Sequence, residues 1–474
     1  MSQVMEKKNP SAAPAPASPM QAGTHEPAYA KDWAPLGTVW LDELRRSSLE
    51  RFLDVGFPTR RDEEWRFTDP ARIARVPFQL AGDQFPQSAA DAGQRHYTFG
   101  HDAVCELVFV NGHFHPRLSK LGKLPRGVKA GRLAEAFDTD RALVEQHLAR
   151  HAEVNKNPFV ALNTAFLRDG AFIHLSRGSV VETPIHLLFL STSGEASAAA
   201  HPRVLVIAEE NVEATIVETY AGAGSHDGRP PYFTNAVTEI VAGADCRIDH
   251  CKLQQESLSA FHVATMQVTL GDRATFVSHS ASIGGRLTRN DLNVVMAGER
   301  ADATLNGLVL IDGTQHVDNH TLLDHARPNC PSHELYKHVL GGRATGVFKG
   351  KILVRPDSQK TDAKQTSKAL LLSDEAHMNS QPALEIYADD VKCTHGSTIG
   401  PVDEEMVFYL RSRGISLEAS RHLLTYAFAA DITRRIRVEP VRRRLEDFMA
   451  AQHGLPQDLR ITDLGAHDEA ARNS

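Results

Sequence analysis

"LGDRATFVSH" (residues 270–279) and "AGERADATLNG" (297–307) share one order of events: a polar turn, a small residue, then a new strand. The same order recurs in "AEENVEATIVE" (208–218), "VAGADCRIDH" (241–250), "LGGRATGVFKG" (340–350) and "LSDEAHMNS" (372–380). Successive units start 27 to 43 residues apart, within the range of a repeat architecture with insertions. A stacked solenoid buries one side of every strand in a continuous core and places small residues at its corners. A sandwich competes, but so many consecutive turn-then-strand units favour a β-solenoid over residues 172–400.

The flanks read differently. Residues 32–171 are mainly helical: "VWLDELRRSSLERFLDVGF" carries Leu41, Leu44, Leu49, Phe52 and Leu53 at helical spacing, with Gly56 as a stop. In "PTRRDEEWRFTDPARI", Thr59 offers an N-cap and acids fill the opening turn. "CELVFVNGHF" is a short β insertion with an Asn-Gly turn, and "DRALVEQHLARH" and "NPFVALNTAFLRDG" are two more helices. Residues 401–455 are helical again. There Ser416 caps a helix whose stripe is Leu423, Leu424, Ala427, Phe428, Ile432 and Ile436, and Pro440 precedes a shorter second helix. Residues 1–31, rich in Ala, Pro and Ser, are expected to be a disordered tail, and 456–474 a polar one.

Composition narrows the function classes. A net charge of −7 argues against a general nucleic-acid binder, and no apolar run approaches the ~20 residues that span a bilayer. Five dispersed cysteines (105, 246, 251, 330, 393) are no disulfide framework, and with no secretory h-region they suit a reducing cytoplasm.

Several stretches carry candidate chemistry. "GRATGVFKGK" resembles a phosphate loop superficially, yet no G-x-x-x-x-G-K followed by Ser or Thr occurs, so Gly346 and Gly350 read as corners and no nucleotide hydrolysis is expected. Cys246 and Cys251 flank His250, but a spacing of five puts them on opposite faces of a strand, which favours structural cysteines. His316, His320, His325, His333 and His338 form a dense group that could converge on a metal from adjacent coils. Asp389 and Asp390 point to opposite faces and make no acid/base dyad. A polysaccharide lyase or hydrolase is the alternative that a solenoid with surface carboxylates raises. All three tryptophans precede the β region, however, so the indole platforms that stack on sugars are missing from it. The basic run at 434–444, with Arg434, Arg435 and Arg437, suits a solvated face or a partner contact better than nucleic acid in an acidic chain. Finally, "KCTHG" (392–396) sets Cys393 and His395 two residues apart. On a strand both face one side, a thiol and an imidazole suited to a soft or borderline metal, though only half a site.

"QKTDAKQTSKALLLS" (359–373), "PALEIYADDVKC" (382–393), "FYLRSRGI" (408–415) and "GFPTRRDEEWRFTDP" (56–70) together resemble the SufB/SufD family of iron–sulfur cluster assembly proteins, from about Leu36 to Met449. Gly396 after His395, and Leu410 after "FY", depart from the SufB-like pattern toward the SufD-like one. The resemblance implies a right-handed parallel β-helix between helical N- and C-terminal domains. It implies a non-catalytic scaffold that pairs with a SufB-like subunit through the β-helix and binds a SufC-like ABC ATPase through the C-terminal helices. It leaves open a homodimer when the chain is isolated. Cys393 and His395 become expected iron or nascent-cluster ligands, shared with the SufB-like subunit, and no nucleotide is expected on this chain.

Overall fold

The computed structural model describes residues 26–83, 85–192, 194–223 and 229–453. Between residues 170 and 401 the backbone coils as a parallel β-solenoid of eight turns, each contributing one strand to either of two sheets. The first sheet holds the odd strands: β1 (Gly170–Leu175), β3 (Arg203–Ala208), β5 (Tyr232–Ala242), β7 (Phe261–Leu270), β9 (Leu287–Met296), β11 (His316–His325), β13 (Thr345–Val354) and β15 (His377–Ile386). The second holds the even strands: β2 (Ile185–Thr192), β4 (Glu213–Ala223), β6 (Arg247–Gln255), β8 (Thr275–Ser282), β10 (Asp302–Ile311), β12 (Pro331–Leu340), β14 (Asp362–Leu371) and β16 (Lys392–Pro401). Every neighbouring pair within these two stacks is parallel, so side chains of equivalent positions line up in columns, such as Ala214, Ile248, Phe276, Ala303 and Ala363 in the core.

The corner before each even strand from β4 to β14 is one device repeated. Asn211, Asp245, Arg273, Arg300, Asn329 and Lys360 all take positive φ, between 56° and 63°, two residues ahead of their strands. The residue that follows each of them is Val212, Cys246, Ala274, Ala301, Cys330 or Thr361, and each is at most 1% exposed. Each corner N–H donates to the carbonyl at the next corner, from Asn211 to Ala244 at 2.9 Å through Lys360 to Asp390 at 2.7 Å. This explains the uneven spacing of the sequence units. "LGGRATGVFKG" and "LSDEAHMNS" lead into odd strands and lie on the opposite edge, whereas the missing members of the first series are "RPNCPSHEL" and "SQKTDAKQT".

The solenoid's two ends differ. At its start, Cys105–Val110 extends the even sheet in parallel with β2, and Val128–Arg132 extends the odd sheet antiparallel to β1. The "CELVFVNGHF" segment is therefore a cap rather than an insertion, and it turns back through Asn111 and Gly112, both at positive φ, into His113–Phe114. Over this end and the odd face pack α1 (Val39–Val55), stopped at Gly56, and α2 (Pro158–Ala165), whose Asn157 accepts from Phe159 N–H at 2.9 Å. Tyr29, inside the expected tail, is buried edge-on against Phe166 and meets His201 at 3.1 Å, so the core begins there. The stretches 1–25 and 456–474 lie outside the described residues.

The N-cap read at Thr59 of "PTRRDEEWRFTDPARI" opens no long helix. Thr59 does accept from Arg61 N–H at 3.2 Å, with Asp62 accepting from Thr59 N–H, but only short turns form at Glu63–Trp65 and Ala71–Ala74, and the segment clamps onto the odd sheet. Trp65 lies under the Arg289 guanidinium, and Glu64 pairs with His320 and Lys349.

After β16 come α3 (Glu404–Ser412), α4 (Leu417–Thr433) and α5 (Glu439–His453). They pack through Tyr426, Ala429, Ile432, Val441 and Leu445 on the outer face of the even sheet, against Val217, Cys251, Leu253 and Leu308. Ser416 does cap α4, accepting from Ala419 N–H at 3.1 Å. The buried stripe is rotated from the expected one, however: Ala427 is exposed, and Leu423, Leu424 and Phe428 are half-buried.

Candidate functional site

The second end of the solenoid has no cap among the described residues. β15 and β16 are the terminal strands of their sheets, and nearly every residue of β16 is exposed. A terminal strand presents unpaired N–H and C=O groups, which makes it a template for another chain. Cys393 and His395 lie on β16, in register with Ala363 and Gln365 of β14. They share the face that continues the interior columns, as the spacing predicts. Cys393 is half-buried against the rim of the core, while His395 is exposed. Burial raises the Cys393 thiol, and Asp362 adds to this against a backbone hydrogen bond at Ala363, so the sulfur is protonated at neutral pH and gives up a proton when it binds a soft metal. Across the opening, Ser397 donates to Ser380 Oγ at 2.9 Å and ties the two terminal strands together.

The other candidates disperse. His316 and His320 lie on the outer face of β11, bonded to Thr68 at 2.8 Å and to Asp318 at 3.0 Å. His325 and His338 are inside, and His333 is exposed on β12. Five histidines on two sheets and both faces cannot converge, and no group of three or more His, Cys, Asp or Glu among the described residues is placed to hold a metal. Cys246 is a corner residue whose thiol meets the Glu209 carbonyl at 2.6 Å, His250 faces inward to Glu218 at 3.2 Å, and Cys251 faces outward into the helical core, where burial pushes its thiol up to about 12. These cysteines are structural.

Gly346 and Gly350 are not corners. Both sit within β13 and face inward, where added Cβ atoms would meet Met378 Sδ at 2.8 Å and Gln365 Nε2 at 2.2 Å. The corner glycine of this stretch is Gly342, at φ 54°. Asp389 and Asp390 are exposed on the final turn, and Asp390 is held by Lys360. Of the basic run, Arg435 pairs with Asp431 at 3.3 Å and Arg437 reaches Asp249 of β6 at 3.5 Å, so part of it straps the helices to the sheet. Arg434 is exposed beside them.

Sequence reasoning missed an apolar patch on α3 and the start of α4. Met406, Phe408, Tyr409 and Leu417 are all exposed, Phe408 by 74%. The signal was present in "EEMVFYLRS": apolar residues at five consecutive positions exceed what one face of a helix can bury, and only Val407 is buried. Among the described residues no helix is long and apolar enough to cross a membrane.

Comparison with known proteins matches residues 189–428 to the SufBD core domain of SUF-system FeS cluster assembly, and residues 36–187 to the SufBD N-terminal region. An iron–sulfur cluster assembly SufBD family protein of Synechocystis is 32% identical over 412 residues, covering 86% of this chain and 90% of that protein. The iron–sulfur cluster assembly protein SufD of Escherichia coli is 32% identical over 400 residues, 84% of this chain and 89% of its own length. A chloroplastic Arabidopsis thaliana protein named ABCI7 is 29% identical over 407 residues, 84% and 83% of the two chains.

Proposed function

This chain belongs to the SufBD family of SUF-system iron–sulfur cluster assembly proteins and is SufD-like, and from that premise we propose that it is the non-catalytic scaffold subunit of a cytoplasmic SufB–SufC–SufD complex. The observation that carries the reading is a thiol and an imidazole on one face of an open edge. Cys393 and His395 present one thiol and one imidazole on the final strand, where a second solenoid can add ligands as it adds a strand. Iron, or the nascent cluster, is then cargo held between two chains. The fit is chemical: sulfur and imidazole suit iron and its clusters, and two ligands alone hold it weakly.

The C-terminal helices are the docking site for the ATPase subunit. Support comes from the exposed Met406, Phe408 and Tyr409, and from the exposed Arg434 of the basic run. ATP hydrolysis belongs to that partner.

The test is co-expression with SufB-like and SufC-like subunits, followed by anaerobic reconstitution. His395→Ala should leave the complex assembled on size exclusion, because it removes an exposed side chain, while lowering cluster yield and transfer to an apo-ferredoxin. Cys393→Ser should have a similar or milder effect. Wild-type yield and transfer in both variants would remove the pair from the mechanism.

A further inference from the structure

A histidine that binds metal through one ring nitrogen is oriented by the hydrogen bond its other nitrogen makes. One strand below His395, in register with it, stands Gln365. It is 1% exposed, and its Nε2 donates to Glu334 Oε2 at 2.6 Å on the strand below that. The carboxylate thereby fixes which way the amide lies, nitrogen toward Glu334 and oxygen away. That oxygen is buried and has no partner. Space for the side chain is kept from across the lumen by Gly350, where any Cβ would strike Gln365 Nε2. A methionine would fill this volume without burying an unmet acceptor, so the amide calls for a partner.

We propose that Gln365 is a positioning residue for His395: its amide oxygen accepts a hydrogen bond from one imidazole N–H, leaving the lone pair of the other nitrogen directed out of the open turn. The inference rests on His395 being a metal ligand, as proposed above. Parallel neighbours stand about 4.8 Å apart, so His395 and Gln365 occupy adjacent rungs of one column. Gln365 itself does not touch the metal. It selects a tautomer and removes rotational freedom, which an exposed terminal strand otherwise leaves to the side chain.

The test uses the full chain labelled with ¹⁵N-histidine, with the His395 ring signals assigned by their loss in His395→Ala. Spectra are recorded at pH 8, above the value of about 7 to which burial pushes Glu334, so that the carboxylate holds the amide. A single His395 tautomer is expected in the wild type. Gln365→Met should return it to the mixture of an exposed histidine and weaken Co²⁺ binding by about 10- to 100-fold. Gln365→Glu keeps an acceptor and should restore both. A mixed tautomer already in the wild type overturns the proposal without any variant, as does Gln365→Met with wild-type tautomer and Co²⁺ affinity. His395→Ala separates the two readings. If it abolishes Co²⁺ binding while Gln365→Met changes nothing, only the positioning role falls; if it leaves binding intact, the ligand reading falls and the positioning role with it.

Discussion

Glu239 and Arg203 are each fully buried and form an ion pair, with further hydrogen bonds on both sides. Arg203 donates to Asn163 Oδ1 at 3.0 Å and Thr164 Oγ1 at 3.1 Å, and Glu239 accepts from the backbone N–H groups of Ala149, His151 and Ala152. Removing one partner strands the other charge in the core. Glu239→Ala should therefore destabilise by about 3–5 kcal/mol, far more than a typical substitution, and denaturant unfolding measures it. Neither residue was legible in sequence, because a lone Arg or Glu in a strand gives no hint of which face it takes. Cys393 and His395 were legible, since an i, i+2 pair shares a face in any strand. Gln365 was not, for its meaning depends on a neighbour 30 residues away in register.

The N-terminal clamp responds to pH through two groups. Interaction with Asp318 and Glu64 raises His320 above its ordinary value despite burial, and hydrogen bonds from His320 and Lys349 lower Glu64 to about 2. His320 thus contributes stability that is complete below about pH 6.5 and lost as pH rises through its raised value. Glu64 contributes stability that is present above about pH 4.5 and lost as pH falls toward 2. The clamp should hold best between pH 4.5 and 6.5, and thermal unfolding of wild type and His320→Gln should differ most there and converge at alkaline pH. The corners make a second prediction. Arg300 takes φ 58° with a β-branched residue excluded only by sterics, so Arg300→Val should cost about 1–2 kcal/mol and Arg300→Gly should be neutral or slightly stabilising in denaturant unfolding. The solenoid was readable because corners repeat a polar turn and a small buried residue. Its period was not, because two edges carry similar turns and the sequence interleaves them. The Thr59 helix failed for a related reason: acids that resemble an opening turn are used instead as clamp ligands.

At the scale of the whole molecule, helices cover the first end of the solenoid and the outer face of the even sheet, and leave the last turn bare. Phe408, exposed on α3, contributes nothing to the chain's own core. Phe408→Asp should leave unfolding of the isolated chain within about 0.5 kcal/mol of wild type, yet weaken association with the ATPase subunit at least about tenfold by calorimetry. Unchanged association would confine docking to the basic run. The uneven ends also set an order in time. Ribosomes deliver the capped base first, and each later coil finds a finished edge to join while the chain is still being made. The terminal strand, with its unpaired edge, emerges last, after seven coils have already consumed the pairing sites below it. Synthesis from the N-terminus thus shortens the interval in which a nascent chain offers an adhesive edge, and a circular permutant that begins at the bare end should aggregate during translation while the natural order does not.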